Sequence, residues 1–244
     1  MTNYKFIQSI KQLLCKKYLT AVVFLYLQCA VVNSQNKNEL KVVFKPVFGN
    51  YPFILDSTYM LEKGQIEFST LKFYISNLQF VDNKKIVFKE SNSFHLFDAR
   101  DIKLQTFTFT IPKGLLFKEL NFNFGIDSLT NISGAMGGDL DPTKGMYWTW
   151  QSGYVNFKIE GTSSLCNNKR QEFQYHLGGY QFPFSALQKI SLEVEANNTL
   201  FILVDVKKIM EAFDLSSLDH IMSPSDEAVR LSYLISQCFS VKEK

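Results

Sequence analysis

Two tryptophans, three histidines, six methionines and four cysteines are the side chains of this 244-residue sequence with redox or soft-donor chemistry. Met146, Trp148 and Trp150 alternate with Tyr147 and Thr149, so in a strand the first three share one face and place both indoles beside a thioether. Spacing alone favours an aromatic core cluster. The row follows a long stretch rich in Gly, Asp and Asn that starts at Phe124, and loops longer than about 12–15 residues inside a domain are usually functional. Asp127, Asp139 and Asp141, with the carbonyls of Gly137 and Gly138, are hard oxygen donors of the kind Ca²⁺ takes, although an Asp-Pro turn accounts for Asp141 equally well.

The other reactive residues are scattered. His95, His176 and His220 do not pair at helical or strand spacing, and a lone histidine is more often a hydrogen-bonded structural residue than a ligand. Cys166 and Cys238 either form a bridge or stay buried, since neither has a CxxC neighbour or an adjacent histidine. No HExxH, GxSxG, Walker or GxGxxG pattern occurs. The sequence therefore presents no acid, base and nucleophile constellation, and an enzyme is not expected. Asn131 and Asn197 match glycosylation acceptors.

The elements that must position these residues read as strands. Apolar side chains alternate with polar ones at Leu40, Val42 and Phe44; at Leu71, Phe73 and Ile75; at Phe107, Phe109 and Ile111; and at Leu120, Phe122 and Phe124. The same holds for Val155, Phe157 and Ile159 and for Phe173, Tyr175 and Leu177. Ile190 to Val194 and Leu200 to Val204 flank Asn197-Asn198, which predicts a β-hairpin. Helical signals are confined to the C-terminal part. Val206 to Phe213 is short and amphipathic, and Ser223, Pro224 and Asp226 open a series of Ala228, Leu231 and Ile235, with Ser223 as the expected N-cap. The expected fold is all-β, one antiparallel β-sandwich with short C-terminal helical additions, in a single domain over residues 35–244.

Residues 1–34 read differently. Lys5, Lys11, Lys16 and Lys17 precede an apolar run from Tyr18 to Val32, shorter than the roughly 20 residues that span a bilayer, and then polar Asn33 and Ser34. This is the order of a secretory signal peptide cut ahead of Gln35, and it predicts export to a periplasmic or extracellular space. Lipid attachment at Cys29 is the alternative, disfavoured by bulky Gln28 before it. The formal charge of +3 belongs to that leader, whose four lysines have no acid among them; the remainder carries −1 and has no basic footprint for nucleic acid.

Several strings in order along the chain resemble the MbnP-like copper-binding family, of the methanobactin-associated MbnP type. They are LKFYISNLQF (Leu71 to Phe80), HLFDA (His95 to Ala99), FGID (Phe124 to Asp127), GDLDP (Gly138 to Pro142), GMYWTWQSGYVNFKIEG (Gly145 to Gly161), FQYHLGG (Phe173 to Gly179) and HIMSP (His220 to Pro224). The resemblance implies an exported, monomeric, non-catalytic copper binder. In relatives of the family a tryptophan is oxidised to kynurenine by a separate diheme cytochrome c peroxidase-like partner. By position that residue would be Trp148, with Trp150 second. His220 would be the first imidazole ligand and His176 the next, with Met146 or Met222 as thioether donors suited to Cu(I). The resemblance also makes a calcium ion at Asp127, Asp139 and Asp141 plausible beside the copper. The competing class is an exported β-sandwich that binds ligands or surfaces through exposed aromatics.

Overall fold

The computed structural model describes residues 37–242. The expected leader, its cleavage site and Cys29 lie outside the described residues. The strands are β1 (Lys37–Phe48), β2 (Tyr51–Pro52), β3 (Thr58–Leu61), β4 (Gly64–Asp82), β5 (Lys85–Lys89), β6 (Phe94–Asp98), β7 (Thr106–Pro112) and β8 (Glu119–Phe124). They continue as β9 (Tyr147–Trp148), β10 (Gly153–Ser163), β11 (Glu172–Gly178), β12 (Gln188–Glu193), β13 (Thr199–Asp205), β14 (His220–Ile221) and β15 (Phe239–Val241). Three helices accompany them: α1 (Ser128–Ile132), α2 (Val206–Glu211) and α3 (Asp226–Ser236). Contacts divide the chain into two units. Residues 40–109 and 115–244 carry the sheets and every candidate site residue; the described part of the other is Lys37–Glu39 with Thr110–Gly114.

The larger sheet follows the order β12-β8-β4-β10-β11-β14, and β3, β5 and β6 also pair with the 19-residue β4. The smaller sheet includes the path β15-β13-β1-β2. Alternation decides what each buries. Phe44 of β1 and Phe239 of β15 point at the larger sheet and meet Phe73 and Phe122 from it at ring-centroid distances of 5.8–6.0 Å, edge to face. Such aromatic contacts, added to full burial, make this stack the main core.

The sheet-rich fold with helices gathered toward the C-terminus is as the alternation predicts. Most pairs are antiparallel; β1 with β13 and β11 with β14 run parallel, so the sheets are mixed. The hairpin expected around Asn197-Asn198 does not form. β12 pairs antiparallel with β8, Ile190 opposite Phe122, while β13 pairs with β1, Ile202 opposite Phe44. The reason is the connection: Val194 to Asn198 is no two-residue turn, and its ends are pinned apart, Val194 N–H donating to Lys118 O and Asn198 O accepting from Lys41 N–H.

Helix α3 begins two residues later than the sequence signal suggests. Ser225, not Ser223, is the N-cap, its hydroxyl accepting the Ala228 N–H at 3.1 Å, with Asp226 and Glu227 favourably placed at the helix's positive end. Ala228, Leu231 and Ile235 are buried on one face. Cys166 and Cys238 are both free thiols; burial pushes each up to about 11, so neither offers a reactive thiolate. Asn131 is buried and fully hydrogen-bonded, which removes it as a glycan acceptor.

Phe44→Ala should lower unfolding stability by about 3–5 kcal/mol, because four aromatic neighbours would border the void. Chemical denaturation measures it; a loss below 1 kcal/mol would mean that the sheets do not pack through this residue.

Candidate functional site

On β4 the side chains of Leu71 and Phe73 face the main core, so Lys72 and Tyr74 face the opposite side. Tyr74 is nevertheless wholly buried. The stretch from Gly125 to Trp148 folds back over this outer face, where Tyr74, Leu96, Ile126, Leu140, Met146, Trp148, Tyr154 and Val155 form a second apolar core.

Polar anchors hold that cover down. Asp127 caps α1 by accepting Thr130 N–H at 2.9 Å, and Asn131 in the same helix donates to the carbonyls of Ile126 and Asp127 while accepting the Tyr154 N–H at 2.8 Å. Asn156 accepts the Ile126 N–H at 3.0 Å, and its side chain lies where a β-carbon on Gly125 would be, 2.5 Å away. Gly125 also has φ +109°, a conformation closed to other residues. Asp139 accepts Leu96 N–H through one carboxylate oxygen and pairs with Lys144 Nζ at 2.7 Å through the other. Its carbonyl accepts the Tyr74 hydroxyl at 3.0 Å. Asp141 accepts from the N–H and hydroxyl of Thr143, which hold its carboxyl below the usual range.

Asp127 and Asp141 serve as caps, and the ammonium of Lys144 sits against Asp139, so each of the three carboxylates has a structural partner in this fold. Among the described residues no group of three or more His, Cys, Asp or Glu is arranged to hold a metal ion.

The tryptophan row is split. Strand β9 is two residues long and gives way to a turn, so Met146 and Trp148 enter the second core while Trp150 stays outside it. Trp148 is 7% exposed and Trp150 is 65% exposed, so the core cluster that the spacing favours takes in Trp148 and leaves out Trp150. The two rings stay 6.0 Å apart at 47°. Trp148 rests on Gly178 of β11: a β-carbon there would be 2.8 Å from its Cζ3 and 2.7 Å from the Tyr154 carbonyl oxygen. The buried Trp148 Nε1–H has no hydrogen-bond partner.

The histidines are placed by register. Lys158 of β10 lies opposite His176 of β11, and Gln174 of β11 lies opposite His220 of β14. Residues 174, 176 and 178 share the outer face of β11, so His220 stands beside Gln174, His176 comes next, and Trp148 covers Gly178. Diagonal neighbours on adjacent strands are about 7–8 Å apart, so the two histidines are neighbours on that face. His176 Nε2–H donates to Glu160 Oε1 at 2.7 Å, and His220 Nδ1–H donates to Asp219 Oδ1 at 2.6 Å. Asn168 steadies Asp219, and Thr70 steadies Glu160. Each imidazole is thus oriented by a carboxylate, as metal-ligating histidines commonly are, with its other ring nitrogen left as a donor. His95 also meets a carboxylate, Glu90, but stacks on Phe107 at 4.4 Å away from this set. Next to the pair the face dips into a cavity of about 250 Å³ lined by Glu67, Glu160 and Glu172 over Phe173. Met222, one residue past β14, is 42% exposed.

Gly178, Asn131, Asn156, Glu160 and Asp219 were not singled out from the sequence as working residues. Their roles depend on cross-strand register or loop closure, and only Asp219, next to His220, had a local signal.

What fold and face define together is a two-sheet β protein whose larger sheet carries two carboxylate-oriented imidazoles on the same face as an indole of the second, loop-built core. The sequence profile of the MbnP family matches residues 37–223, and the chain belongs to that family. Among solved structures, MbnP from Methylosinus trichosporium is similar in fold, with a TM-score of 0.55 at 14% identity over 78% of this chain and 82% of that one. No curated protein matches.

Gly178→Ala should displace Trp148 and cost about 1–3 kcal/mol, read as an altered near-ultraviolet circular dichroism signal and a lower denaturation midpoint. An unchanged spectrum would mean that the ring does not depend on that gap. Glu160 is held at about 2 against an ordinary 4.5, first by its bond from His176, with Lys158 and Thr70 adding to it. The folded-state value is depressed, so its stabilisation is present above pH 4.5 and is lost as pH falls toward 2. Partial exposure reduces it to the order of 1 kcal/mol. Glu160→Gln should flatten that part of the stability profile; a profile identical to wild type would contradict the pairing.

Proposed function

We propose that the protein is an exported, monomeric copper binder in which Trp148 is oxidised to kynurenine by a separate diheme cytochrome c peroxidase-like partner. It is then a substrate of that partner and a holder of copper, not an enzyme. Membership of the MbnP family supports a methanobactin-associated role. The observation that carries the reading is the convergence of Trp148, His176 and His220 on one edge of the larger sheet, each imidazole oriented by its own carboxylate.

The donor set suits copper. Kynurenine replaces the indole N–H, which has no acceptor here, with an aryl amine and a ketone at the same place. His176 Nδ1 and His220 Nε2 are the free ring nitrogens, and Met222 adds a thioether from the exposed end of β14. Met146, wholly buried, keeps a packing role. Glu67, Glu160 and Glu172 line the cavity beside the histidines. In the conversion two equivalents of hydrogen peroxide, consumed by the heme partner and reduced to two waters, supply the two oxygen atoms and the four-electron oxidation that cleave the pyrrole C2–C3 bond, and hydrolysis then releases the formyl carbon as formate. Calcium has no part in this reading. A second reading is favoured by the exposure of Trp150 at 65% and Phe182 at 97%: a ligand-binding or adhesive module that stacks these rings on a partner.

Mass spectrometry of protein from its native host should show the Trp148 peptide with one oxygen gained and one carbon lost, and about one copper per chain. His220→Ala should abolish stoichiometric binding, and Asp219→Asn should weaken it about 10–100-fold. An unmodified peptide in a host that makes the heme partner, with no copper retained, would end the reading; glycan-dependent quenching of Trp fluorescence would favour the second.

A further inference from the structure

We propose that Trp150 is the surface relay through which an external one-electron oxidant removes electrons from buried Trp148. The inference rests on the proposed oxidation of Trp148 and adds the route. Trp148 is 7% exposed and lies under the turn after β9, so an oxidant of protein size does not touch it. Trp150 is 65% exposed at that turn, an unusual setting for so large an apolar side chain, and its ring is 6.0 Å from that of Trp148. One indole therefore meets the solvent and the other meets the core, with no intervening residue.

The two buried phenols of the second core do not compete. Oxidising a tyrosine near neutral pH requires its proton to leave. Tyr74 donates its hydroxyl to the Asp139 carbonyl and Tyr154 donates to the Gly134 carbonyl, neither of which is a base, and burial raises both phenols above their ordinary range. An indole can lose an electron and keep its proton. Trp148 Nε1–H has no acceptor among the described protein atoms, so no protein base takes the proton and the oxidised ring is a radical cation.

The electrons balance in two steps. Trp150 gives one electron to the oxidant, in the proposed setting a ferryl-level heme of the partner, which is reduced by one equivalent. Trp148 then gives one electron to the Trp150 radical cation, restoring Trp150 and leaving the hole on Trp148. No bond forms or breaks in either step.

The test uses the full chain with photogenerated tris(bipyridyl)ruthenium(III), needing neither copper nor the heme partner. Peptide mapping after illumination should show oxidation at Trp148 in the wild type, at least tenfold less at Trp148 in Trp150→Phe, and undiminished oxidation at Trp150 in Trp148→Phe. Circular dichroism confirms that the surface variant is folded. Equal Trp148 oxidation in Trp150→Phe, or oxidation confined to Trp150 in the wild type, would overturn the relay. Absence of kynurenine in host protein would instead sink the copper reading and leave the relay result standing.

Discussion

A missing side chain at Gly178 is the constraint on which the rest of the edge depends. The ring of Trp148 occupies space that even a methyl group would claim, and the Tyr154 carbonyl closes the gap from the other side. Because Gly178 and His176 share a face of one strand, seating the indole there also fixes it next to an imidazole. The remainder of the cover follows: with Trp148 seated, Met146 and Tyr154 complete the second core, and the polar anchors at Asn131, Asn156 and Asp139 each gain a buried partner.

Two cores with different duties result. The Phe-rich one between the sheets supplies most of the apolar burial and makes the larger sheet a rigid platform. The second is small and assembled from a loop, and it lies on the face that would otherwise be solvated. Building it from Asp caps and buried amides rather than from more strands places a tryptophan at the boundary between dry interior and polar surface. That boundary suits the proposed chemistry, since burial alone would shut out oxidant and metal, and full exposure would leave the ring unpositioned. The carboxylate behind each imidazole serves the same end by removing rotational freedom before any ion arrives.

Much of the architecture was legible because alternating Phe, Leu and Ile against Lys, Thr and Asn has a direct geometric meaning in a strand. The route of the chain between sheets was not: Ile190–Val194 and Leu200–Val204 have hairpin-like patterns, yet their partners, β8 and β1, lie far away in sequence. The candidate site divides in the same way. The residue types at Trp148, His176 and His220 could be read, and the resemblance ordered them, but β14 is two residues long and its parallel pairing with β11 has no local signature. The acidic positions show a further limit: Asp at the start of a turn and Asp in a cation cage look alike in sequence, and the pairing of Lys144 with Asp139 is visible only in three dimensions. In a continuous strand Trp148 and Trp150 would share one face, whereas the turn at residues 149–152 sends them to opposite environments.

The central claim is that His176 and His220, and not His95, share one ion beside the Trp148 position. Nitrogen-15 NMR of the three imidazoles in host-derived protein during titration with one equivalent of Cu(I) tests it most directly. The account predicts large shifts at His176 Nδ1 and His220 Nε2 with His95 unchanged; shifts confined to His95, or equal small shifts at all three, would contradict it.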